Sequence, residues 1–457
     1  MPRRPDLDAA VDHLSSYTSR EPWPARRREH LATMLGRIPA LYGLDFESLF
    51  EEIHQIGHLS SMVGFVEEAF LSAEHGEERV NPIDDYLRRR GWQETPRARE
   101  YLLGIQSTPP SLYEVQDIGW GEWIEVRDRL RGGPTQRIGE HSASQTLQRW
   151  DCLVGRVVQP RGELMLTGGV LSLTLDTADR IEDLYRRVTK AGRTSVAALA
   201  DELGVAPEKL GDAENAALRF VDRICFSVWL MALLDAARRP LPTLHNTDGD
   251  PLLFARARLP VAAGAADEIG RALDALAGWE REQAGEPRWT WARDPLDKMP
   301  TILGTARLER DALVVETNSS QRMEQALAAM RVALGPLVGE ALTSYEDPAH
   351  ALSERGARTE SKRDDRADTL PPEDTTAIAE ALTRVKDAHY RRTLDEPVPM
   401  LGNRTPRQCA RSKQGRTRLV RWLKQLENGE LQQAARSGAA PYDMAWMWRE
   451  LGVESEG

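Results

Sequence analysis

The sequence predicts an α+β multidomain chain, and three observations predict it. Apolar residues recur at three- and four-residue spacing over most of the first 105 positions, whereas they alternate near period two from Val154 to Val170. A second block, about 240 to 345, interleaves hairpin signals with amphipathic helices. At 457 residues the chain is too long for one ordinary core. The expected parts are a helical N-terminal region (1–109), a small antiparallel β unit with core helices (110–239), an α+β antiparallel-sheet unit (240–345), a disordered linker (346–376) and a separate helical C-terminal module (377–457).

Composition narrows the classes further. Hydrophobic residues at 41% and charged residues at 29% describe a globular chain, and the net charge of -11 confines any nucleic-acid contact to a local patch. Cys152, Cys225 and Cys409 lie far apart and form neither a disulfide framework nor a zinc knuckle, which suits a reducing cytoplasm. Arg3 and Arg4 are not followed by an apolar core, so no secretory leader is expected. The apolar run Ile224 to Leu234 is too short to cross a bilayer and is closed by Arg223 and Asp235; it predicts a buried core helix and no membrane partner.

In chain order, helices are expected at Ala25 to Ile38, Phe46 to His75 and Pro82 to Ile105. His54 and His58 stand four apart beside Glu51, a spacing that would set two metal ligands on one helix face, but no third ligand accompanies them. The expectation is an ordinary polar face. From Thr135 to Leu175 the alternation, punctuated by Pro160-Arg161-Gly162 and Gly168-Gly169, predicts a small sheet or half-barrel. Gly132-Gly133 and Gly168-Gly169 read as turn or bulge glycines, since no Gly-Lys-Ser/Thr follows either pair. Thr194 to Leu210 has the cadence of a helix-turn-helix start, but Lys209 stands among Glu208, Asp212 and Glu214, and a plain helical corner is expected.

In the middle block, Asp248-Gly249 predicts a turn between extended runs, and a second hairpin turns near Glu309 to Asp311. Helices are expected at Asp267 to Leu276 and, capped by Ser319, at Gln321 to Leu334. The result is an antiparallel sheet with helices on one face. Trp289 and Trp291 project from one face of a strand, either into the core or, as in RNA-binding sheets, outward for stacking. His245, Asp248 and Asp250 resemble a metal or acid–base cluster, but Pro251 and an apolar strand follow where calcium ligands would be needed.

Glu346 to Thr376 is almost free of apolar residues. Beyond it comes the helix Ala377 to Asp395, then the densest stretch of the chain, Leu394 to Gly429. Eight basic residues (Arg404, Arg407, Arg411, Lys413, Arg416, Arg418, Arg421, Lys424) and no acidic one lie between Pro397 and Leu426, a reversal of the chain's sign that points to a contact surface. Thr405 before Pro406 is an N-cap signal, Ser412 can cap the next helix, and Leu419, Val420, Trp422, Leu423 and Leu426 share one face before Gly429 stops it. The tail offers Tyr442, Met444, Trp446, Met447 and Trp448, which either fold back onto the Trp422 helix or dock into a partner.

This stretch resembles the toxin-binding domain at the C-terminus of Xre/MbcA/ParS-type antitoxins, through Leu394, Pro397, Pro399, Leu401, Gly402, Thr405, Pro406, Gly415, Val420, Leu423 and Leu426. The resemblance implies binding to a partner toxin, often one that degrades a nicotinamide dinucleotide, self-association through this module, no cofactor and no catalysis by this chain. Partner-binding residues would be Leu401, Gly402, Arg404, Thr405, Pro406, Arg407, Arg411, Arg416, Trp422, Trp446 and Trp448. No nucleophile elbow, zinc motif or nucleotide loop occurs. Two other functions compete with this one: a nucleic-acid-binding or regulatory protein using the basic 397–426 surface and the middle sheet, and an enzyme of unrecognised family with its pocket in the middle unit.

Overall fold

The computed structural model describes residues 5–190, 220–239, 245–282, 287–293, 301–346 and 372–453, with side chains from 383 onward in the last segment. The helix-turn-helix-like stretch Thr194 to Leu210 and most of the Glu346 to Thr376 linker lie outside the described residues. The architecture is α+β with a helical C-terminal part. It divides into one unit built from residues 1–238 and 370–457 and a second built from 239–369.

The first unit begins with helices α1 (Pro5–Thr18), α2 (Trp23–Leu35), α3 (Ile38–Leu41), α4 (Phe46–Gln55), α5 (Leu59–Ser72), α6 (Pro82–Arg90) and α7 (Pro96–Ser107). Two expected long helices are each broken in two. Gly57, at φ +77°, separates α4 from α5, and the 3-10 turn Gly91–Gln93 followed by the Thr95 cap separates α6 from α7. Periodicity carried across both breaks because each flanking helix faces a shared core. His54 therefore sits on α4 and His58 at the N-cap of α5, and the His58 ring meets Trp229 edge-on at 6.1 Å. Among the described residues no group of three or more His, Cys, Asp or Glu forms a metal cluster.

Strands β1 (Ser111–Gly119), β2 (Trp123–Asp128), β3 (Gln136–Gly139), β4 (Cys152–Gly155), β5 (Val157–Val158), β6 (Met165–Leu166) and β7 (Leu171–Leu173) follow, with α8 (Ser142–Thr146) between β3 and β4. An antiparallel sheet runs in the order β3-β2-β1-β4-β7, and β5 pairs with β6. Leu112, Cys152, Val154 and Leu171 belong to the same core as α5, α9 (Leu175–Lys190) and α10 (Val221–Ala237), while Tyr113, Val115, Ile124, Val126, Ile138 and Leu153 form a second cluster. Helix α10 carries the apolar run and is buried as expected. Among the described residues no helix is long and apolar enough to cross a membrane.

One charged knot ties this unit together. Arg156, fully buried, meets Glu68 at 3.4 Å and Asp222 at 3.1 Å and donates to the Thr108 carbonyl. Glu68 also accepts from Thr167 Oγ1 at 2.7 Å and the Gly169 backbone N–H at 2.6 Å. A Cβ on Gly169 would stand 2.7 Å from the Glu68 carboxyl carbon, so glycine here admits the chain's own carboxylate.

The second unit contains β8 (Phe254–Pro260), α11 (Ala266–Asp274), β9 (Trp279–Arg281), β10 (Arg288–Arg293), β11 (Thr301–Leu308), β12 (Ala312–Thr317), α12 (Ser320–Leu334) and β13 (Leu342–Glu346). Its sheet is antiparallel in the order β13-β8-β12-β11-β10-β9, a split βαβ arrangement extended by the β9–β10 hairpin. Trp289 is buried with α11 and α12 and donates to Asp274 at 2.7 Å. Trp291 stacks on Trp279 with ring centres 5.6 Å apart. Both tryptophans thus serve the helix-covered core. The Asp248 turn is closed by the Asn246 side chain, and Asp248 pairs with Arg293 and Arg322. With Asp250 accepting from Ser319, this cluster holds the N-terminus of α12.

The C-terminal helices are α13 (Pro372–Thr393), α14 (Pro406–Cys409), α15 (Lys413–Ser437) and α16 (Ala445–Leu451). Contrary to expectation, Gly429 does not stop α15, which continues to Ser437. Glu430, in the next turn, is buried against α13, where it meets Lys386 and Tyr390. These helices belong to the same compact unit as residues 1–238, whereas the sequence pointed to a module standing apart.

Candidate functional site

The basic run is built on a locally determined frame. Leu401 anchors a 3-10 turn, Gly402 takes a left-handed conformation (φ +71°), and Thr405 caps α14 in a capping box with Gln408. Ser412 accepts from the Gly415 backbone N–H to start α15, and a Cβ on Gly415 would lie 2.2 Å from the Cys409 carbonyl oxygen. These constraints fix where each cation points.

Half of the run is engaged by neighbouring groups. Lys424 and Glu114 of β1 form a buried ion pair at 2.7 Å, with the ammonium 4.4 Å over the Trp150 ring. Arg421 pairs with Asp176 and Asp179 of α9, its 2.5 Å Nε contact to Asp179 lying outside hydrogen-bond alignment. Arg407 pairs with Asp395 and Glu450, and Arg416 donates to the Ala410 carbonyl at 2.8 Å. One turn further along α15, the Glu427 carboxylate accepts from both the Trp150 and Trp448 indoles at 2.9 Å, and Asn428 and Gln432 donate to Asp151. Positions 421, 424, 428 and 432 follow helical spacing, so one polar stripe docks α15 on the sheet.

Beside that seam lies a cleft of about 360 Å³ lined by Glu114, Arg129, Asp179, Glu182, Arg421 and Lys424 among others. Its charges neutralise one another: Arg129 reaches Asp179 at 2.7 Å and Glu182 at 2.5 Å. Burial pushes the Cys152 thiol up to about 12, which makes it a poor nucleophile. Burial likewise pushes the Glu114 carboxyl up, but Lys424, Gln116 and Arg129 outweigh burial and hold it below its ordinary value. Its contribution to stability is therefore complete above the unfolded carboxylate range, about pH 4.3, and lost as pH falls through the lower folded value. Denaturant midpoints taken from about pH 7 down to about pH 3 should fall more for the wild type than for Glu114→Gln. Parallel slopes would contradict the assignment.

The other half turns outward. Arg404, Arg411, Lys413 and Arg418 are exposed and form no ion pair among the described residues. Arg418 lies against Gly402, its guanidinium 3.5 Å from where a Cβ would stand. Of the residues expected to bind a partner, Arg404 and Arg411 are on this edge, Gly402 and Thr405 shape it, and Arg407 and Arg416 are committed inward. Leu401, Pro406, Trp422 and Trp448 are buried in the C-terminal core, and Trp446 is half-buried beneath Arg391 and donates to Tyr442. The tail thus folds back. Lys413 and Arg418 belong to the edge, and only the helical register separates them from Arg421 and Lys424. Comparison of the chain with models of protein families and with curated proteins yields no match.

Proposed function

We propose that the chain is a non-enzymatic, antitoxin-like protein that works in the cytoplasm and engages a partner protein, a toxin in the closest functional analogy, through the outward edge Arg404, Arg411, Lys413 and Arg418. One observation carries this reading. Four cations are left exposed and without an ion pair among the described residues, on a scaffold that pairs Arg407, Arg421 and Lys424 with carboxylates and Arg416 with the Ala410 carbonyl, although the chain as a whole carries a net charge of -11. Unpaired like charges on a rigid frame repel one another and are relieved by an acidic surface. The resemblance of Leu394 to Gly429 to antitoxin toxin-binding domains supports the same surface. The three buried free cysteines fit a reducing compartment.

The test is a tagged pull-down from native lysate after nuclease treatment, using the full chain and an Arg404→Glu, Arg411→Glu, Lys413→Glu, Arg418→Glu variant. A protein retained by the wild type and lost by the variant is the expected result. Equal retention by both, or recovery of nucleic acid alone before nuclease treatment, would overturn it.

A further inference from the structure

The N-terminal helices carry a polar recess that no part of the basic edge enters. His13, Ser16 and Tyr17 of α1, and Arg20 just past its end, recur at helical spacing, and Tyr86 and Arg90 stand one turn apart on α6. With Gln93 they line a recess of about 140 Å³. No carboxylate is among its lining residues, in a chain whose net charge is -11. Two carboxylates behind its walls are already engaged. Asp85 accepts from Tyr17 and pairs with Arg88 and Arg89, while the buried Glu94 accepts from Tyr86 and, at 2.9 Å, from His13 Nδ1. Burial, reinforced by those carboxylates, raises both tyrosine hydroxyls above their ordinary value, so the two rings wall the recess as neutral groups.

The recess is therefore left with positive charge. Arg20 and Arg90 are exposed and form no ion pair among the described residues, although Arg88 and Arg89 beside Arg90 are both bound to Asp85. The carboxyl-terminal ends of α1 and α6 bring about half a negative charge each, which two guanidiniums outweigh. Compensating those ends needs no shared recess, yet both cations line one, together with the Ser16 hydroxyl and a His13 ring whose Nε2 is its remaining polar atom. We propose that this recess binds a phosphoryl group, either inorganic phosphate or the phosphate of a small ester. Its three oxygens and charge of about -2 match two guanidiniums from separate helices and a hydroxyl, whereas a carboxylate offers two oxygens and one charge. The volume is below the about 300–1,000 Å³ of sites for drug-sized ligands, so the recess encloses little more than the phosphoryl head.

Isothermal titration calorimetry on the full chain in phosphate-free buffer tests this, with inorganic phosphate, phenyl phosphate and acetate as probes. Phosphate or phenyl phosphate should bind once per chain, and acetate about tenfold more weakly or less. Tighter binding of phenyl phosphate identifies an ester as the occupant, and equal or weaker binding identifies the free ion. Arg20→Gln and Arg90→Gln should each weaken phosphate about tenfold, the effect of one charge-assisted hydrogen bond, with thermal stability unchanged. Arg28→Gln, an exposed arginine of α2 outside the recess, should bind as the wild type does, and so should the Arg404→Glu, Arg411→Glu, Lys413→Glu, Arg418→Glu variant. No binding of either phosphate, acetate binding as tight, or equal weakening by Arg20→Gln and Arg28→Gln would overturn the proposal. Loss of phosphate binding in the basic-edge variant would overturn it too, by moving the site to that edge.

Discussion

Lys424→Ala should lower the unfolding free energy of the unit that contains it by about 3–5 kcal/mol, because it leaves the buried Glu114 carboxylate with only the more distant Arg129, 3.9 Å away, as a cation. The same change removes the ammonium from the Trp150 ring. Equilibrium unfolding in denaturant, followed by tryptophan fluorescence, measures the loss. A double variant, Glu114→Leu with Lys424→Met, should recover most of it, since replacing a buried pair with apolar groups of similar volume is often close to neutral. A single variant within about 1 kcal/mol of wild type would mean that α15 is not held on the sheet by this pair.

Arg156→Ala should cost a similar amount, about 3–5 kcal/mol, and for a related reason. It leaves the buried Glu68 and the half-buried Asp222 without their cation. Burial already raises the Asp222 carboxyl against the opposing pull of Arg156, and removing Arg156 lets it rise further. A carboxyl with a raised folded value costs stability only where the unfolded chain would be ionised. The deficit of the variant should therefore shrink as pH falls through that raised value. A deficit that stays constant from about pH 7 to about pH 4 would show that lost packing, and not charge, sets the cost.

The sequence made the coarse architecture legible because local rules dominate there. Ser319, Thr405 and Ser412 cap helices where their hydroxyls fall one residue before an amphipathic run. Helix ends were harder to read, since Gly57 ends a helix by adopting a positive φ while Gly429 does not end α15, and glycine as a residue type does not separate those outcomes. Strand β1 escaped individual notice because the register shift between Val115 and Asp117 breaks its alternation.

At the C-terminus the excess of positive charge was visible, but its division was not. Which cations face Glu114, Asp176 and Asp179 depends on pairing with residues about 245 to 310 positions away. No local pattern encodes that. The same holds on α4, where Glu47, Glu51 and Glu52 look alike in sequence and Arg238 claims one of them.

The central claim is that the basic run is split into a structural half and a binding half. Denaturant unfolding of two charge-reversal variants of the full chain tests it most directly, one carrying Arg421→Glu and Lys424→Glu, the other Arg404→Glu, Arg411→Glu, Lys413→Glu and Arg418→Glu. The account predicts a loss of several kcal/mol, about 3 or more, for the first and a change within about 1 kcal/mol for the second. Equal losses in the two variants, or a larger loss in the second, would contradict it.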